Sequence, residues 1–288
     1  MAMLAAAGFA SAVSMGSARA DDMVGAPHAW GLGLQTAGGP IKERIHDFND
    51  LLLWIIVIIT IFVAGLLAYC LWKFDRKRNP VASQTSHHTG LEIAWTVIPV
   101  LILLVIAIPS FRLIYYEDRA RDPDLTINVT GRQWYWNYAF PGENGTGGFN
   151  FDSRIVAEAD LKPGDLRNLT VDEPLVIPVG RSVRVMTHGQ DVIHSFFVPS
   201  LGVQRYSIPG RTIETWMQAD HVGTFYGQCN QICGVNHAYM PIVIRAVPQA
   251  EFDAWVASAR TRFADNGGAP AVAALPAANA PVQLAARQ

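Results

Sequence analysis

The chain has 288 residues, of which 50% are hydrophobic and only 16% are charged, and its formal net charge is −2. This charge balance argues against a nucleic-acid partner, and the apolar excess indicates a membrane protein that carries a sizeable water-soluble part. Charge must therefore be considered segment by segment along the chain.

The first twenty residues are small and apolar, and they end in the tripeptide ARA. A small residue on each side of one other residue is the pattern that signal peptidase cleaves, so residues 1–20 are predicted to be a signal peptide that is removed before Asp21. The usual basic residues at the start of such a peptide are absent. Residues 21–47 are then expected to lie on the outer, periplasmic face of a membrane.

Two charge-free apolar runs follow, at residues 51–72 and 93–111. Each is close to the roughly 20 residues that a helix needs to cross the hydrocarbon core of a bilayer. We therefore predict a transmembrane hairpin over residues 48–115, with one helix at about 48–74 and the other at about 91–115. A buried hairpin of a soluble protein is the alternative.

A short basic loop joins the two runs, and its four basic residues lie between positions 73 and 78. Short loops of this kind tend to stay in the cytoplasm, so both ends of the chain are expected on the outer face. The second helix begins with TGLE at residues 89–92. This tetrapeptide matches a capping box, with Thr89 as the cap and Glu92 at the third helical position.

From residue 120 the pattern changes to short runs of β-branched and aromatic residues separated by Gly and Pro. Alternation within segments such as VRVMT indicates strands with one buried face, and six or more such strands over residues 120–248 predict a β-sandwich. Residues 249–265 carry apolar side chains at helical spacing and are predicted to form a helix. The Ala/Pro-rich residues 266–288 are predicted to be a disordered tail.

The segment CNQICGVNHAYM at residues 229–240 places two cysteines, a histidine and a methionine close together. Two cysteines in an exported chain ordinarily form a disulfide, but a disulfide requires neither His237 nor Met240. Copper sites in β-sandwiches use thiolate and imidazole with a weak thioether ligand. A second cysteine would let two coppers share two sulfur bridges, and each copper would then need its own imidazole.

One imidazole would come from His237, and the other should come from a neighbouring strand. His194, at the start of the strand-like segment HSFFV, fits this position. The predicted topology removes four other histidines, which lie before the first helix or in the cytoplasmic loop. His188 and His221 remain as alternatives. Cys70 lies inside the first helix and is expected to act as a small apolar residue.

Five segments carry a resemblance to a known family: LEIAWTVIP, GRQWYWNY, DVIHSF, IPGR and GQCNQICGVNHAYMPI. In this order, over residues from about 46 to 250, they resemble subunit II of haem-copper cytochrome c oxidases of the bacterial and mitochondrial type. The resemblance implies a membrane-anchored all-β protein, with a two-helix transmembrane hairpin followed by a cupredoxin-like Greek-key β-barrel or sandwich. It also implies a binuclear copper centre, CuA, in the outer domain.

The resemblance implies which residues bind copper: His194, Cys229, Gln231, Cys233, His237 and Met240. Both thiolates would bridge the coppers, each imidazole would bind one copper, the thioether would be a weak axial ligand, and Gln231 would bind through its backbone carbonyl. Relatives mostly have Glu at position 231, whose carboxylate binds magnesium at the border with subunit I. An amide is a poorer ligand for a hard cation, so magnesium is in doubt. The segment QRY at residues 204–206 also lacks an acidic residue that relatives often have.

The resemblance gives roles to further residues. Trp134, the first residue of WYW, would accept the electron from cytochrome c, whereas Tyr135 and Trp136 are expected to pack within a sheet. Glu92 would lie at the mouth of a proton pathway into subunit I. Three acidic residues would attract cytochrome c, which is a basic protein: Asp152, Asp172 and Asp191.

These observations predict the electron-transfer subunit of a proton-pumping oxidase in the bacterial inner membrane, with its copper domain in the periplasm. Its partners would be subunits I and III and cytochrome c, and oxygen would be reduced to water at haem in subunit I. A membrane-anchored copper-delivery protein is one alternative, although it would leave the WYW and LEIAWT segments unexplained. A quinol oxidase subunit II that serves as a copper-free scaffold is the other, and it would lack copper ligands.

Overall fold

The computed structural model describes residues 25–81, 83–120, 122–142 and 148–263. The predicted signal peptide and the predicted C-terminal tail lie outside these residues. Within them, two long helices precede a β-domain and a shorter helix follows it. The predicted fold class, an apolar helical hairpin followed by a β-sandwich, is confirmed.

Two helices form the hairpin: α1 spans Pro40–Lys73 and α2 spans Thr89–Asp118. Both are long and apolar enough to cross a bilayer, and their apolar side chains are exposed along most of their length. α1 begins at Pro40, before the start expected near residue 48. Proline suits the first turn of a helix, and polar residues can extend a helix beyond the hydrocarbon core. The apolar run therefore set only the minimum length of this helix.

The start of α2 differs from the predicted capping box by one residue. His88, rather than Thr89, caps the helix, because its Nδ1 accepts a hydrogen bond from the backbone N–H of Leu91 at 3.2 Å. The carboxylate of Glu92 in turn accepts a hydrogen bond from the backbone N–H of His88 at 3.2 Å. An imidazole nitrogen can accept from an N–H as a hydroxyl does, so the reciprocal pair forms one residue earlier than predicted.

The described residues form ten strands: β1 Leu125–Arg132, β2 Tyr135–Phe140, β3 Phe149–Ser153, β4 Leu175–Pro178, β5 Val183–Gly189, β6 His194–Val198, β7 Val203–Ser207, β8 Ile213–Met217, β9 Gly223–Cys229 and β10 Pro241–Val247. They pair into two five-stranded sheets, in the orders β3-β2-β1-β5-β8 and β4-β10-β9-β6-β7. We name these the β1 sheet and the β6 sheet. β1 is parallel to β5 and β4 is parallel to β10, whereas the other pairs are antiparallel.

The core of the β-domain lies between the two sheets. Burial alternates along β5, so every second side chain points inward. Phe151 from the β1 sheet and Phe196 from the β6 sheet are among the largest fully buried side chains. The third helix, α3 (Gln249–Arg262), covers part of this core, where its Trp255 packs edge-on against Phe151 with ring centroids 6.0 Å apart.

Polar contacts attach the β-domain to the C-terminal end of α2. Backbone carbonyls of the last turn of α2 accept hydrogen bonds from Trp216 Nε1 at 2.7 Å and from the Thr215 hydroxyl at 3.1 Å. Arg205 of β7 forms an ion pair with Asp118 at 2.7 Å. The unusual segment QRY therefore contains the residue that ties the β6 sheet to the membrane helix.

Candidate metal centre

The predicted copper ligands lie at one end of the β6 sheet. His194 is the first residue of β6, Cys229 is the last residue of β9, and Met240 directly precedes β10. β9 pairs with both β6 and β10, so these three residues lie in or directly beside the ends of neighbouring strands. The loop between β9 and β10, the ligand loop, carries Cys233 and His237 and brings them to the same end.

Two thiols form the middle of the cluster. The Sγ atoms of Cys229 and Cys233 are 3.9 Å apart, and both cysteines are free. Cys233 Sγ also lies 3.5 Å from His237 Nδ1 and 3.6 Å from Met240 Sδ. The backbone carbonyl oxygen of Gln231 lies 3.4 Å from Cys229 Sγ. A metal–thiolate bond is about 2.3 Å long, so two sulfurs that share a metal lie at most about 4.6 Å apart, and this pair meets that limit.

His194 completes the cluster. Its side chain is fully buried, and its Nε2 lies 2.8 Å from Asp191 Oδ1. Its Nδ1 is buried and has no hydrogen-bond partner among the described residues. One ring nitrogen of His194 and both cysteine sulfurs lie within 4.8 Å of one another. Because buried polar atoms are rarely left unpaired, an unpaired imidazole nitrogen beside two thiols fits a metal ion that accepts both sulfur and nitrogen.

The two thiols differ in acidity. Burial alone would raise the pKa of Cys229, but interactions with the His194 ring and with the backbone at Gln231 and Ser195 outweigh burial and lower this pKa to about 7. Burial and then the charge of Cys229 raise the pKa of Cys233 to about 12. Cys229 is therefore the more acidic of the two thiols, and loss of the second proton requires a cation to compensate the second negative charge. This behaviour suits a pair whose second thiolate forms when metal binds.

The turn between β1 and β2 contacts the ligand loop from the opposite sheet. Trp134 Nε1 donates a hydrogen bond to the carbonyl oxygen of Cys233 at 3.2 Å, and Gln133 Nε2 donates to the same oxygen at 2.8 Å. The Trp134 side chain is partly buried, and together with Asn236 and Tyr239 of the ligand loop it lines a cavity of about 490 Å³. One tryptophan thus contacts both the ligand loop and a surface cavity.

Trp136 supports the cluster from within the core. It is fully buried, and its Nε1 donates a hydrogen bond to the carbonyl oxygen of Met240 at 3.2 Å. Its ring packs edge-on against His194 and Phe196, with centroid distances of 6.1 Å and 5.4 Å. The packing role expected of this residue is therefore the role that it has in the structure.

Two family models together match most of the chain. Residues 125–247 match the cytochrome c oxidase subunit II periplasmic domain, and residues 27–113 match the cytochrome c oxidase subunit II transmembrane domain. A probable cytochrome c oxidase subunit 2 of Rickettsia bellii (strain RML369-C) is 46% identical over 241 residues, which are 84% of this chain and 88% of the relative. The chain belongs to the cytochrome c oxidase subunit II family.

A second relative agrees with this assignment. Cytochrome c oxidase subunit 2 of Cereibacter sphaeroides is 38% identical over 253 residues, which are 83% of this chain and 84% of the relative. Among solved structures, the periplasmic domain of subunit II of the cytochrome oxidase of Bradyrhizobium japonicum is 48% identical, with a TM-score of 0.45, and covers 49% of this chain and 97% of that chain. As a member of this family, the chain is a membrane-anchored subunit II with a C-terminal soluble domain.

Other predicted site residues of this subunit II lie outside the cluster. Glu92 is in the first turn of α2, whereas the β-domain follows the other end of that helix. Asp152 on β3 accepts a hydrogen bond from Asn137 Nδ2 at 2.9 Å and forms an ion pair with Arg154 at 2.8 Å. Asp172 lies in the loop before β4 and accepts a hydrogen bond from the backbone N–H of Arg154 at 2.7 Å. Their roles in docking and proton uptake stay predictions.

Asp191 is the predicted docking residue that reaches the candidate metal centre of subunit II. Its Oδ2 accepts a hydrogen bond from the backbone N–H of Gln133 at 2.7 Å, and its Oδ1 accepts from the backbone N–H of Val192 at 2.7 Å and lies 2.8 Å from His194 Nε2. Burial alone would raise the pKa of Asp191, but the hydrogen bonds with His194 and with the backbone N–H groups lower it. The carboxylate is therefore charged and held in one position.

The two alternative histidines lie elsewhere in subunit II. His188 Nδ1 is hydrogen-bonded to the carbonyl oxygen of Arg211 at 3.1 Å, and His221 packs against Phe225 with ring centroids 5.6 Å apart. Neither belongs to the potential metal-binding group of the described residues, which contains His194. The structure therefore brings the imidazole of His194, and not these two, to the thiols.

Sequence reasoning missed two residues beside the centre of subunit II, Gln133 and Gly131. Gly131 of β1 lies against His194, since a Cβ at this position would be 2.9 Å from the imidazole side chain. Both residues stand just before the WYW run in the segment GRQWYW. That position is the signal that points to them, because residues next to Trp134 in the sequence lie at the same end of the β-domain.

Proposed function

We propose that this chain accepts electrons from a soluble cytochrome c and passes them to haem in subunit I, where oxygen is reduced to water. The observation that carries the proposal is the pair of free thiols, 3.9 Å apart, with an unpaired buried imidazole nitrogen beside them. Membership of the subunit II family supports it. In this proposal the partners are subunits I and III of the oxidase and the cytochrome c donor.

The proposed cofactor is the binuclear copper centre CuA. The residues that would hold it are His194, Cys229, Cys233, His237, Met240 and the backbone carbonyl of Gln231. Soft sulfur ligands suit Cu(I), whereas imidazole nitrogen also suits Cu(II), so this donor set tolerates both oxidation states. Bound by these residues, the copper centre would supply one-electron transfer with little change in bond lengths.

Trp134 is the proposed residue at which the electron arrives. Its indole N–H is hydrogen-bonded to the carbonyl of Cys233, and its ring lines the surface cavity. It therefore provides a short connection between a docked donor and a residue that carries a ligand. Asp152, which is half-buried, and Asp172, which is exposed, would attract a basic donor to this side of the domain.

Glu92 is the proposed mouth of a proton pathway into subunit I. It lies in the first turn of α2, where its half-buried carboxylate accepts a hydrogen bond from the N–H of His88. In this role the same carboxylate would cap a helix and take up protons from the cytoplasm. Magnesium at the border with subunit I is not proposed, because Gln231 offers a neutral amide where relatives mostly have a carboxylate.

Electron paramagnetic resonance of the purified oxidase complex tests the copper proposal. The oxidised complex should show an unpaired electron whose signal is split by two copper nuclei, and metal analysis should find two coppers beyond the copper of subunit I. Splitting by a single copper nucleus would overturn the binuclear site. A subunit II without copper would favour the scaffold role instead.

Oxygen consumption separates the proposal from a copper-delivery role. A complex that contains subunits I and II should reduce oxygen with reduced cytochrome c as the only donor. A copper-loaded chain that purifies without subunit I and supports no oxygen consumption would contradict the proposed function, even with two coppers bound.

A further inference from the structure

A polar clamp, consisting of Gln133 and Asp191, connects the turn between β1 and β2 to the ligand loop. Neither residue is a proposed copper ligand. Gln133 contributes its side-chain amide, which donates a hydrogen bond to the carbonyl oxygen of Cys233 at 2.8 Å. Asp191 contributes its carboxylate, one oxygen of which accepts a hydrogen bond from the backbone N–H of Gln133 at 2.7 Å. The turn is therefore held through both its main chain and a side chain.

The second carboxylate oxygen of Asp191 extends the clamp to His194. It lies 2.8 Å from His194 Nε2 and accepts a hydrogen bond from the backbone N–H of Val192 at 2.7 Å. With Nε2 directed at this carboxylate, the ring nitrogen left for a metal is Nδ1, which is the unpaired one. Carboxylates that orient a metal-binding imidazole typically change metal affinity or activity by about 10–100-fold when they are mutated.

Close packing between the two sheets leaves the clamped groups little freedom. A Cβ on Gly131 would lie 2.9 Å from the His194 side chain. A Cβ on Gly234, which has a φ of 122°, would lie 2.9 Å from the Trp134 ring. The ligand loop therefore approaches the β1–β2 turn closely because Gly234 has no side chain at the point of contact, and β1 approaches His194 because Gly131 has none.

From these contacts we propose that Gln133 and Asp191 are positioning residues, which hold Trp134 and His194 in a fixed relation to Cys233 for electron transfer into the metal centre. The proposal rests on the proposed function. Gln133 and Trp134 donate to the same carbonyl oxygen, so loss of the Gln133 amide leaves the turn attached to Cys233 only by the 3.2 Å hydrogen bond from the Trp134 ring. A misplacement of about 1 Å between reacting groups can slow a reaction about 100-fold, so this loss has a measurable consequence.

The clamp also gives Asp191 a role that differs from donor docking. Both of its carboxylate oxygens are engaged in hydrogen bonds within the chain, and its side chain is only 33% exposed. A docking residue affects the donor's KM and the salt dependence of the reaction. A positioning residue also affects the metal centre when no donor is present.

Gln133→Leu and Gln228→Leu in the purified complex form a matched pair of variants. Gln228 of β9 also donates a hydrogen bond to a carbonyl of the ligand loop, that of Ala238 at 2.6 Å, but it does so from the ligand-bearing sheet. With excess reduced cytochrome c, Gln133→Leu should slow reduction of the copper centre by about tenfold or more in rapid-mixing measurements. It should also alter the copper hyperfine splitting, whereas Gln228→Leu should change the rate by less than about twofold.

Asp191→Asn and Asp172→Asn separate positioning from docking. An amide cannot accept at both positions, so Asp191→Asn loses the bond to Gln133 or the bond with His194. We expect it to weaken copper binding by about tenfold or more in competition with a chelator, and to change the resonance spectrum without donor. Asp172→Asn should raise the KM for cytochrome c at low salt and leave the spectrum unchanged.

If the copper centre of Gln133→Leu is reduced at the wild-type rate and has the wild-type spectrum, the positioning role of the clamp is overturned. Equal slowing in Gln133→Leu and Gln228→Leu would overturn it too, because general loosening of the ligand loop would then explain both. If Gln133→Leu fails to assemble, Gln133→Glu serves in its place, since it keeps the side-chain size and removes the donor. Absence of a two-copper resonance in the wild-type complex would instead overturn the proposed function, so the two failures are distinguishable.

Discussion

The two sheets of the β-domain contribute differently to the candidate metal centre. The β6 sheet and its ligand loop carry the proposed ligands, because the ends of β6 and β9 and the start of β10 lie side by side. The β1 sheet carries none of them, yet Gln133, Trp134 and Trp136 hold backbone carbonyls of the ligand loop across the sandwich. Those three contacts join residues 99 to 104 positions apart. Ligand chemistry is thus largely local in the sequence, whereas the placement of the ligands depends on distant contacts.

The largest expected effect comes from the β6 sheet, in Cys233→Ser. A serine hydroxyl does not ionise near neutral pH and is a poor ligand for Cu(I), so one of the two proposed sulfur bridges would be lost. Copper in subunit II should fall from two ions to one or none, measured by metal analysis of the purified complex, and donor oxidation should fall with it. Cys70→Ser, which changes an exposed cysteine in α1, is the control and should keep both coppers. Two coppers in Cys233→Ser would contradict the bridging role.

Trp136→Ala should have the largest effect of any single change in the β1 sheet. The side chain is fully buried and packs against His194 and Phe196, and such truncations typically cost about 3–5 kcal/mol. Thermal unfolding of the detergent-solubilised chain measures the loss. Trp136→Phe keeps most of the packing and removes the donor to Met240, so it should cost about 1–3 kcal/mol. Equal losses of unfolding free energy in the two variants would show that Trp136 stabilises the domain through its hydrogen bond and not through its packing.

Gly131→Ala tests whether the β1 sheet positions a ligand by close contact alone. The added methyl group would lie 2.9 Å from the His194 side chain, so the ring or the strand must move. Overpacking of this kind typically costs about 1–3 kcal/mol, and the resonance spectrum of the copper centre should shift. Gly33→Ala, where an added Cβ meets nothing within 4 Å, is the control and should leave stability and spectrum unchanged. An unshifted spectrum in Gly131→Ala would show that the contact between β1 and His194 does not position this ligand.

The difference between the β6 sheet, which carries the proposed ligands, and the β1 sheet, which positions them, also explains what could be predicted from the sequence. The ligand loop could be predicted because it lies within a stretch of twelve residues that contains Cys229, Cys233, His237 and Met240. The strand pattern around His194 then predicted that this histidine lies on a neighbouring strand. The contacts that Gln133, Trp134 and Trp136 make could not be predicted from the sequence. They are hydrogen bonds to backbone carbonyls, which no pattern of side chains reveals. Helix positions followed from the apolar runs.

The ends of these elements and the role of Asp191 were harder to predict. The start of α2 depends on which neighbouring side chain reaches a free N–H, and His88 does so instead of Thr89. Asp191 carried only a docking prediction because its acidity was visible in the sequence. Its bonds to the β1–β2 turn and to His194 appear only when β1 and β6 are packed together.

The smallest expected effect tests whether the ion pair between the β6 sheet and α2 matters for the candidate metal centre. Arg205 of β7 is paired in register with Phe196 of β6, but its guanidinium binds Asp118 at the end of α2. The two side chains are 25% and 49% exposed, so the ion pair contributes about 1 kcal/mol or less. Arg205→Met should lower the thermal midpoint of the chain by about 4 °C at most and leave the copper spectrum unchanged. A shifted spectrum would mean that strain at Arg205 is transmitted along the strands of the β6 sheet to the ligands. An unchanged spectrum is the result expected if contacts of the β1 sheet hold the ligands in place.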